Sequence, residues 1–184
     1  MFKEFRWHGR GGQGAWTASS LLARAALYEG KYIQSFPEFG PERMGAPIKA
    51  YTRISKEPID IHTSVYTPDV VVVLDTTLIK AVNITEGLQK NGVLIINTRE
   101  SPQTLRKKLE LNDYKIWAIP ATDISIQIIK RNIPNTAMLG STIRATGIVE
   151  LENVKKAIKD WFQAKLANMN IQVICKACEE TRTE

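Results

Sequence analysis

The run Asp69-Val70-Val71-Val72-Val73-Leu74-Asp75 constrains this chain more than any other feature. An unbroken apolar, mostly β-branched segment between two carboxylates offers no polar side to water, so it fits a strand buried on both faces of a parallel sheet. Such a strand needs helices above and below. Gly92–Asn97 and Lys115–Ile119 read as further buried strands, and Thr76–Gly87, Ser101–Leu111 and Thr122–Arg131 read as the intervening helices, with Pro102 suited to a first helical turn. Strand and helix alternating through short connections predict an α/β chain with a mostly parallel sheet and helices on both faces, a Rossmann-like arrangement.

The N-terminal third extends this pattern. Phe2–Trp7 predicts a first strand, half apolar because of Lys3, Glu4 and Arg6, and a glycine cluster ends it. Ala15, Ala18, Leu22, Ala25 and Ala26 recur at helical spacing until Gly30. Lys31–Phe36 reads as a short strand, Pro37–Pro47 as a loop, and Ile48–Ile54 as a strand with one solvated or interface face. The C-terminal third is helical, with Asn135–Ile148 and Glu150–Leu166 separated near Gly147. The stripe Val154, Ile158, Trp161, Phe162 and Leu166 reads as core. A last strand is conceivable at Ile171–Ile174, and residues 176–184 read as a flexible tail. Neither a repeat nor a linker divides the chain, so residues 1–184 are expected to form a single domain.

Composition excludes several functions. The sequence has 184 residues, 25 Lys and Arg against 19 Asp and Glu, and only two cysteines, Cys175 and Cys178. Two thiols are too few for a disulfide scaffold or for an iron–sulfur cluster, which takes about four. The net charge of +6 does not gather into a nucleic-acid patch, because its densest run, Arg106-Lys107-Lys108, reads as a solvated helix face. No apolar run reaches the ~18–20 residues of a membrane span, and MFKEFRWHGRGG lacks the apolar core of a signal peptide, so a cytoplasmic chain is expected.

Gly9-Arg10-Gly11-Gly12-Gln13-Gly14 fits G-x-G-x-x-G between a predicted strand and a predicted helix. There, backbone N–H groups and the positive helix end can meet a phosphate without obstruction by side chains. Arg10 adds a charge and Gln13 an amide. The alternative is a tight turn at the sheet edge. A dinucleotide would want an acidic residue about 20 positions further on; the second strand ends in Gln34 and Ser35, with Glu38 displaced beyond Pro37, and no Walker Lys follows the glycines. The loop Phe36–Pro47 would lie at the same strand ends, which makes Arg43 the second anion-binding candidate.

In order, GRGGQG, a strand, GPERMGAP, a strand ending near Arg53, PDVVVVLD, NGVLIINT and PNTAMLGSTIRATGI resemble the gamma subunit of 2-oxoacid:ferredoxin oxidoreductases, over nearly the whole chain. The resemblance implies a complex that oxidatively decarboxylates a 2-oxoacid, with pyruvate expected, transfers the acyl group to coenzyme A and reduces ferredoxin. It implies alpha, beta and delta partner subunits that hold thiamine diphosphate and [4Fe-4S] clusters, none of them bound by this chain alone. It further implies a coenzyme A site to which Arg10, Gly11, Gly12, Gln13, Gly14 and Arg43 contribute, with no catalytic or metal residue here. Where many relatives have R-G-G or K-S-G-G, this chain reads Arg43-Met44-Gly45-Ala46. Two other readings stand beside it: an NAD-dependent dehydrogenase and a non-catalytic anion-binding module.

The remaining polar residues carry lesser expectations. Cys175-x-x-Cys178 reads as reduced surface thiols rather than a redox pair. His8 reads as a structural hydrogen-bonder, and His62 has no partner pattern. Asp75 and Asn97, at strand ends, read either as ligand groups or as helix caps, and Asn135 reads as an N-cap.

Overall fold

The structure is a computed structural model that describes residues 1–38 and 45–184. Seven strands form one sheet in the order β2-β3-β1-β4-β5-β6-β7. They are β1 (Phe2–Arg10), β2 (Tyr32–Pro37), β3 (Pro47–Ser55), β4 (Val70–Val73), β5 (Val93–Asn97), β6 (Lys115–Ile119) and β7 (Arg182–Thr183). β1, β4, β5 and β6 pair in parallel, with Trp7 opposite Val72 and Val72 opposite Ile95, while β3 and β7 run antiparallel to their neighbours. The valine run is β4, and all four of its residues are buried.

Alternation divides the side chains between two cores. Phe5, Trp7, Val70, Val72, Ile95 and Ile119 face α1 (Ala15–Tyr28), α3 (Ala121–Ile129), α4 (Asn135–Thr146), α5 (Leu151–Trp161) and α6 (Ala164–Glu180). Val71, Val73, Leu94, Ile96, Ile116 and Ala118 face α2 (Pro102–Leu109), Ile84 and Leu88. Helices therefore cover both faces, unevenly, with most on one side.

The predicted helix over Thr76–Gly87 shrinks to a 3₁₀ turn, Thr76–Lys80. The sequence there is rich in β-branched residues, and Asp75 and Asn83 turn their side chains onto the backbone amides of Thr77 and Thr85, competing with helix continuation. The carbonyls of Ile84 and Glu86 are instead taken by Arg6. A second correction concerns Ile48–Ile54: neither face of β3 is solvated, since Ala50 through Ser55 are all buried. Arg53 is 1% exposed and reaches Glu4 at 2.7 Å, Gln34 Oε1 at 3.0 Å and the Ser64 carbonyl at 3.2 Å, under the loop that follows β3.

The expected helix Glu150–Leu166 breaks at Phe162 and Gln163, which are extended, so Leu166 belongs to α6 and, with Trp161, stays partly exposed. The conceivable strand Ile171–Ile174 lies within α6, whose Ala167, Asn170, Val173, Ile174 and Ala177 are buried at helical spacing. Residues 176–180 finish that helix, and Arg182–Thr183 pair with β6 rather than trailing as a tail. α6 crosses α4 closely at Gly140, where a Cβ would stand 2.8 Å from the Ile174 carbonyl oxygen. Among the described residues no helix is long and apolar enough to cross a membrane.

Candidate functional site

β1 lies where the chain changes direction across the sheet: α1 leads to β2 on one side, while β4 pairs on the other. The carboxyl end of such a strand is where open α/β sheets place ligands. The glycine turn occupies that end. Gln13 closes it from both directions, its N–H donating to the Arg10 carbonyl (3.0 Å) and its Oε1 accepting from the Arg10 N–H (2.8 Å). Gly11 donates to the Ala46 carbonyl at 2.9 Å, and Gly45 donates to the Gly11 carbonyl at 3.2 Å, so the start of β3 is tied to the turn. The two expected loops thus meet at one edge. Arg43 lies outside the described residues.

Arg10 and Gln13 are engaged within the chain. Gln13 Nε2 donates to Asp75 Oδ2 at 2.8 Å, and Arg10 Nε lies 3.3 Å from the same oxygen. The Arg10 guanidinium also donates to Thr77 Oγ1 (2.7 Å) and the Gly45 carbonyl (2.9 Å). Burial alone would raise the Asp75 pKa, but bonds from Thr77 and Gln13 together with the Arg10 charge hold it below the usual carboxylate range. Asp75 stays ionised and balances Arg10. What the turn still offers an anion is backbone: α1 starts at Gly14, left-handed at φ 75°, with no side-chain cap and no acid in its first turn. The N–H groups of Ala15, Trp16 and Thr17 have no intrahelical acceptor, because the ladder starts with Ala18 donating to Gly14.

Beside the turn an open groove of about 520 Å³ is lined by Gln13, Asp75, Asn97, Thr98, Thr122 and Asp123. Asp75 and Asn97 both resolve toward structure. Asp75 caps the 3₁₀ turn through the Thr77 N–H at 2.9 Å. Asn97 donates to the Leu74 carbonyl and to Thr122 Oγ1, both at 2.8 Å, and accepts from the Thr122 N–H. Asn135 is not an N-cap. It is the first residue of α4, and the cap position belongs to Pro134. Its side chain packs on Gly14, where a Cβ would stand 2.5 Å from Nδ2. Sequence reasoning missed this contact, and spacing gives no signal for it.

His8 is buried and its Nε2 accepts from Arg6 Nε at 3.0 Å. Burial, reinforced by the charges of Arg6 and Lys49, pushes its pKa down to about 3, so the ring is neutral and structural. His62 is exposed. Cys175 and Cys178 are free thiols; Cys178 contacts the Gly140 carbonyl, and burial pushes its pKa up. No group of three or more His, Cys, Asp or Glu among the described residues is placed to hold a metal. The end of β2 cannot serve a ribose: Gln34 is held by Arg53 and the Ile59 carbonyl, Ser35 by Ser19, and Glu38 by Tyr51.

Comparison with known proteins identifies the family and agrees with the fold. The family model described as pyruvate ferredoxin/flavodoxin oxidoreductase matches residues 4–180. The pyruvate/ketoisovalerate oxidoreductases common subunit gamma of Pyrococcus furiosus is 48% identical over 178 residues, covering 97% of this chain and 96% of that protein. Pyruvate synthase subunit PorC of Thermotoga maritima is 52% identical over 162 residues, covering 88% and 83%. The crystal structure of the Thermotoga maritima pyruvate oxidoreductase subunit PorC superposes with a TM-score of 0.87 at 46% identity, covering all of this chain and 98% of that one. A 2-oxoglutarate:ferredoxin oxidoreductase of Magnetococcus marinus, solved with 2-oxoglutarate, coenzyme A and succinyl-CoA bound, shares the fold at a TM-score of 0.77 and 17% identity, over 96% of this chain and 30% of that one. Seen together, a glycine turn feeding an uncapped helix, a mixed seven-stranded sheet and near end-to-end alignment to these subunits at 46–48% identity place the chain in the pyruvate ferredoxin/flavodoxin oxidoreductase family, as a gamma-type chain.

Proposed function

We propose that this chain serves as the gamma subunit of a pyruvate:ferredoxin oxidoreductase, assembled with alpha, beta and delta chains, and that its glycine turn forms one wall of the coenzyme A site. The observation that carries the site reading is the uncapped start of α1 at Gly14, with three backbone N–H groups turned toward the strand ends. A polyanionic cofactor suits such donors, because they bind phosphate without bringing a countercharge that must be desolvated. Coenzyme A supplies the thiol that takes up the acyl group. Gly11, Gly12 and Gly14 keep the turn free of side chains, while Arg10 and Gln13 hold its shape through Asp75. Arg43, the other cation that the resemblance assigns to this site, would add a positive charge. Thiamine diphosphate is assigned to the partner chains by the family resemblance, and the iron–sulfur clusters likewise, two cysteines here being fewer than the about four a cluster takes.

The test is reconstitution. Co-purified with its partner subunits, the chain should support pyruvate-dependent ferredoxin reduction, and Arg43→Ala should raise the KM for coenzyme A far more than that for pyruvate. Equal effects on both constants would reject the site, and turnover by the isolated chain would reject the subunit reading. Assaying pyruvate, branched 2-oxoacids, indolepyruvate and 2-oxoglutarate in parallel identifies the substrate.

A further inference from the structure

We infer that β2 is a pairing edge through which two copies of this chain associate, antiparallel about a two-fold axis at Gln34, joining their sheets into one; the inference is independent of the coenzyme A site. β2 ends the sheet and has only β3 beside it. The Glu38 N–H donates to the Lys49 carbonyl at 2.9 Å, so by alternation the backbone groups of Tyr32, Gln34 and Phe36 turn to β3, while those of Ile33, Ser35 and Pro37 turn outward. Among the described residues no other group bonds the outward N–H and C=O of Ile33 and Ser35. Natural proteins blunt such an edge with a charge, a bulge or a proline. Tyr32–Pro37 carries no charge and pairs with β3 in unbroken register, and its one proline stands at the end, where it removes a single donor.

The surroundings of the edge match themselves about the same axis. With Gln34 opposite Gln34 of the second copy, Ile33 exchanges both backbone bonds with Ser35, and Tyr32 stands opposite Phe36 on one face. Tyr32 is 49% exposed, and an open groove of about 320 Å³, lined by Gln34, Ser35, Phe36, Ile61 and His62, lies where Tyr32 of the second copy would enter. On the other face α1 packs on β2, with Ser20 Oγ 3.2 Å from Ser35 Oγ. Trp16, Ser20, Ala23 and Leu27 fall on one stripe of α1, and Trp16 and Leu27 are 49% and 55% exposed. The small residues Ser20 and Ala23 form the middle of that stripe, above Ser35 and so near the axis, and the large apolar residues form its ends. In an antiparallel pair Trp16 of each copy meets Leu27 of the other, while the small residues let the helices approach. Neither the strand nor the stripe bears a charge, and the flanking Lys31 and Glu38 are already paired with Glu29 and Lys49, so a second copy meets no like-charge repulsion. An unrelated strand would need the open edge alone; symmetry on both faces singles out a second copy.

The full chain provides the test. Sedimentation equilibrium should show a reversible dimer, and Leu27→Lys combined with Tyr32→Lys should raise its dissociation constant at least about tenfold with an unchanged far-UV circular dichroism spectrum, because both side chains are exposed. Gln34→Cys puts two thiols directly opposite across the axis, at the roughly 4.5–5.5 Å between Cβ atoms of an antiparallel pair, and oxidised glutathione should link the copies through residue 34, read by mass spectrometry of the joined peptides. Tyr66→Cys, at a more exposed position beside Gly87, should stay unlinked. A wild-type chain that stays monomeric at its highest soluble concentration overturns the inference, as does a dimer indifferent to the paired lysine substitutions. In the assembled complex, a thiol-to-amine crosslinker carried on residue 34 should reach a second copy of this chain; capture of a different subunit in its place overturns the inference and makes β2 a docking edge for that subunit. Should Gln34→Cys fail to fold, the lysine substitutions decide the same question.

Discussion

Replacing Gly14 by alanine puts the packing of the turn to a quantitative test. At φ 75° an L-residue is strained by about 1–2 kcal/mol, and the new methyl would stand 2.5 Å from Asn135 Nδ2, 3.0 Å from its Cγ and 3.1 Å from its Cβ. Rotation of the Asn135 side chain removes the first two contacts but not the third, because Cβ is fixed to α4. Displacing the amide also loses the bond to the Thr136 N–H, worth about 1 kcal/mol, while the stiffer unfolded chain returns about 0.4–1 kcal/mol. The net cost is about 2–3 kcal/mol, which lowers Tm by roughly 5–10 °C for a chain of this size. Urea unfolding of wild type, Gly14→Ala, Asn135→Ala and the double variant measures it. With Asn135 truncated, the Gly14→Ala penalty should fall to the backbone strain and the 3.1 Å contact with the Cβ that alanine keeps, a coupling of about 1 kcal/mol. Equal penalties in both backgrounds, or a Gly14→Ala variant within about 0.5 kcal/mol of wild type, would refute the contact and the placement of Asn135 with it.

Further outcomes follow from other parts of the sheet. Arg53→Leu strands Glu4 and two loop carbonyls, and should cost about 3–5 kcal/mol in urea unfolding. His8 is neutral in the fold with its pKa near 3, against an unfolded value of about 6.5, so the unfolded chain binds the extra proton and stability falls as pH drops from about 6.5 toward 3. His8→Gln, which can still accept from Arg6, should flatten that part of the acid limb in melts recorded across the window. Glu29 accepts from the Glu150 N–H at 2.7 Å and Asn153 Nδ2 at 3.0 Å, standing in for a cap that α5 lacks. Glu29→Ala should therefore destabilise by about 1 kcal/mol, checked by thermal melting. The Cys178 thiol should be alkylated only slowly at neutral pH, read by mass spectrometry, because burial raises its pKa.

The parallel core was legible because β4, β5 and β6 are buried on both faces and carry that environment as uninterrupted apolar runs. The glycine turn was legible for a related reason: few contexts place four glycines between a strand and a helix. Failures cluster where tertiary partners overrule local pattern. Thr76–Gly87 looked helical until Arg6 claimed its carbonyls, and β3 looked half solvated because Arg53 and Thr52 are polar, yet both find partners inside. The break at Phe162 carries neither glycine nor proline to mark it. Asn135 was out of reach for another reason, since more than a hundred residues separate it from Gly14 in sequence and nothing local records the contact.

The uneven cover of the sheet also sets where the molecule opens. The face bearing α1, α4, α5 and α6 is a slab of mutually packed helices, whereas the face over Arg6, His8 and Arg53 is closed by connections whose carbonyl oxygens accept from the two arginines. Local fluctuations cost least where few apolar contacts must separate, so the loop side exchanges its amide hydrogens first while the slab holds until global unfolding. The glycine turn is anchored to the slab through α1. Breathing of the chain therefore wets the buried arginines and leaves the row of N–H groups at Gly14 in register, so the anion site proposed there would need no ordering of its donors.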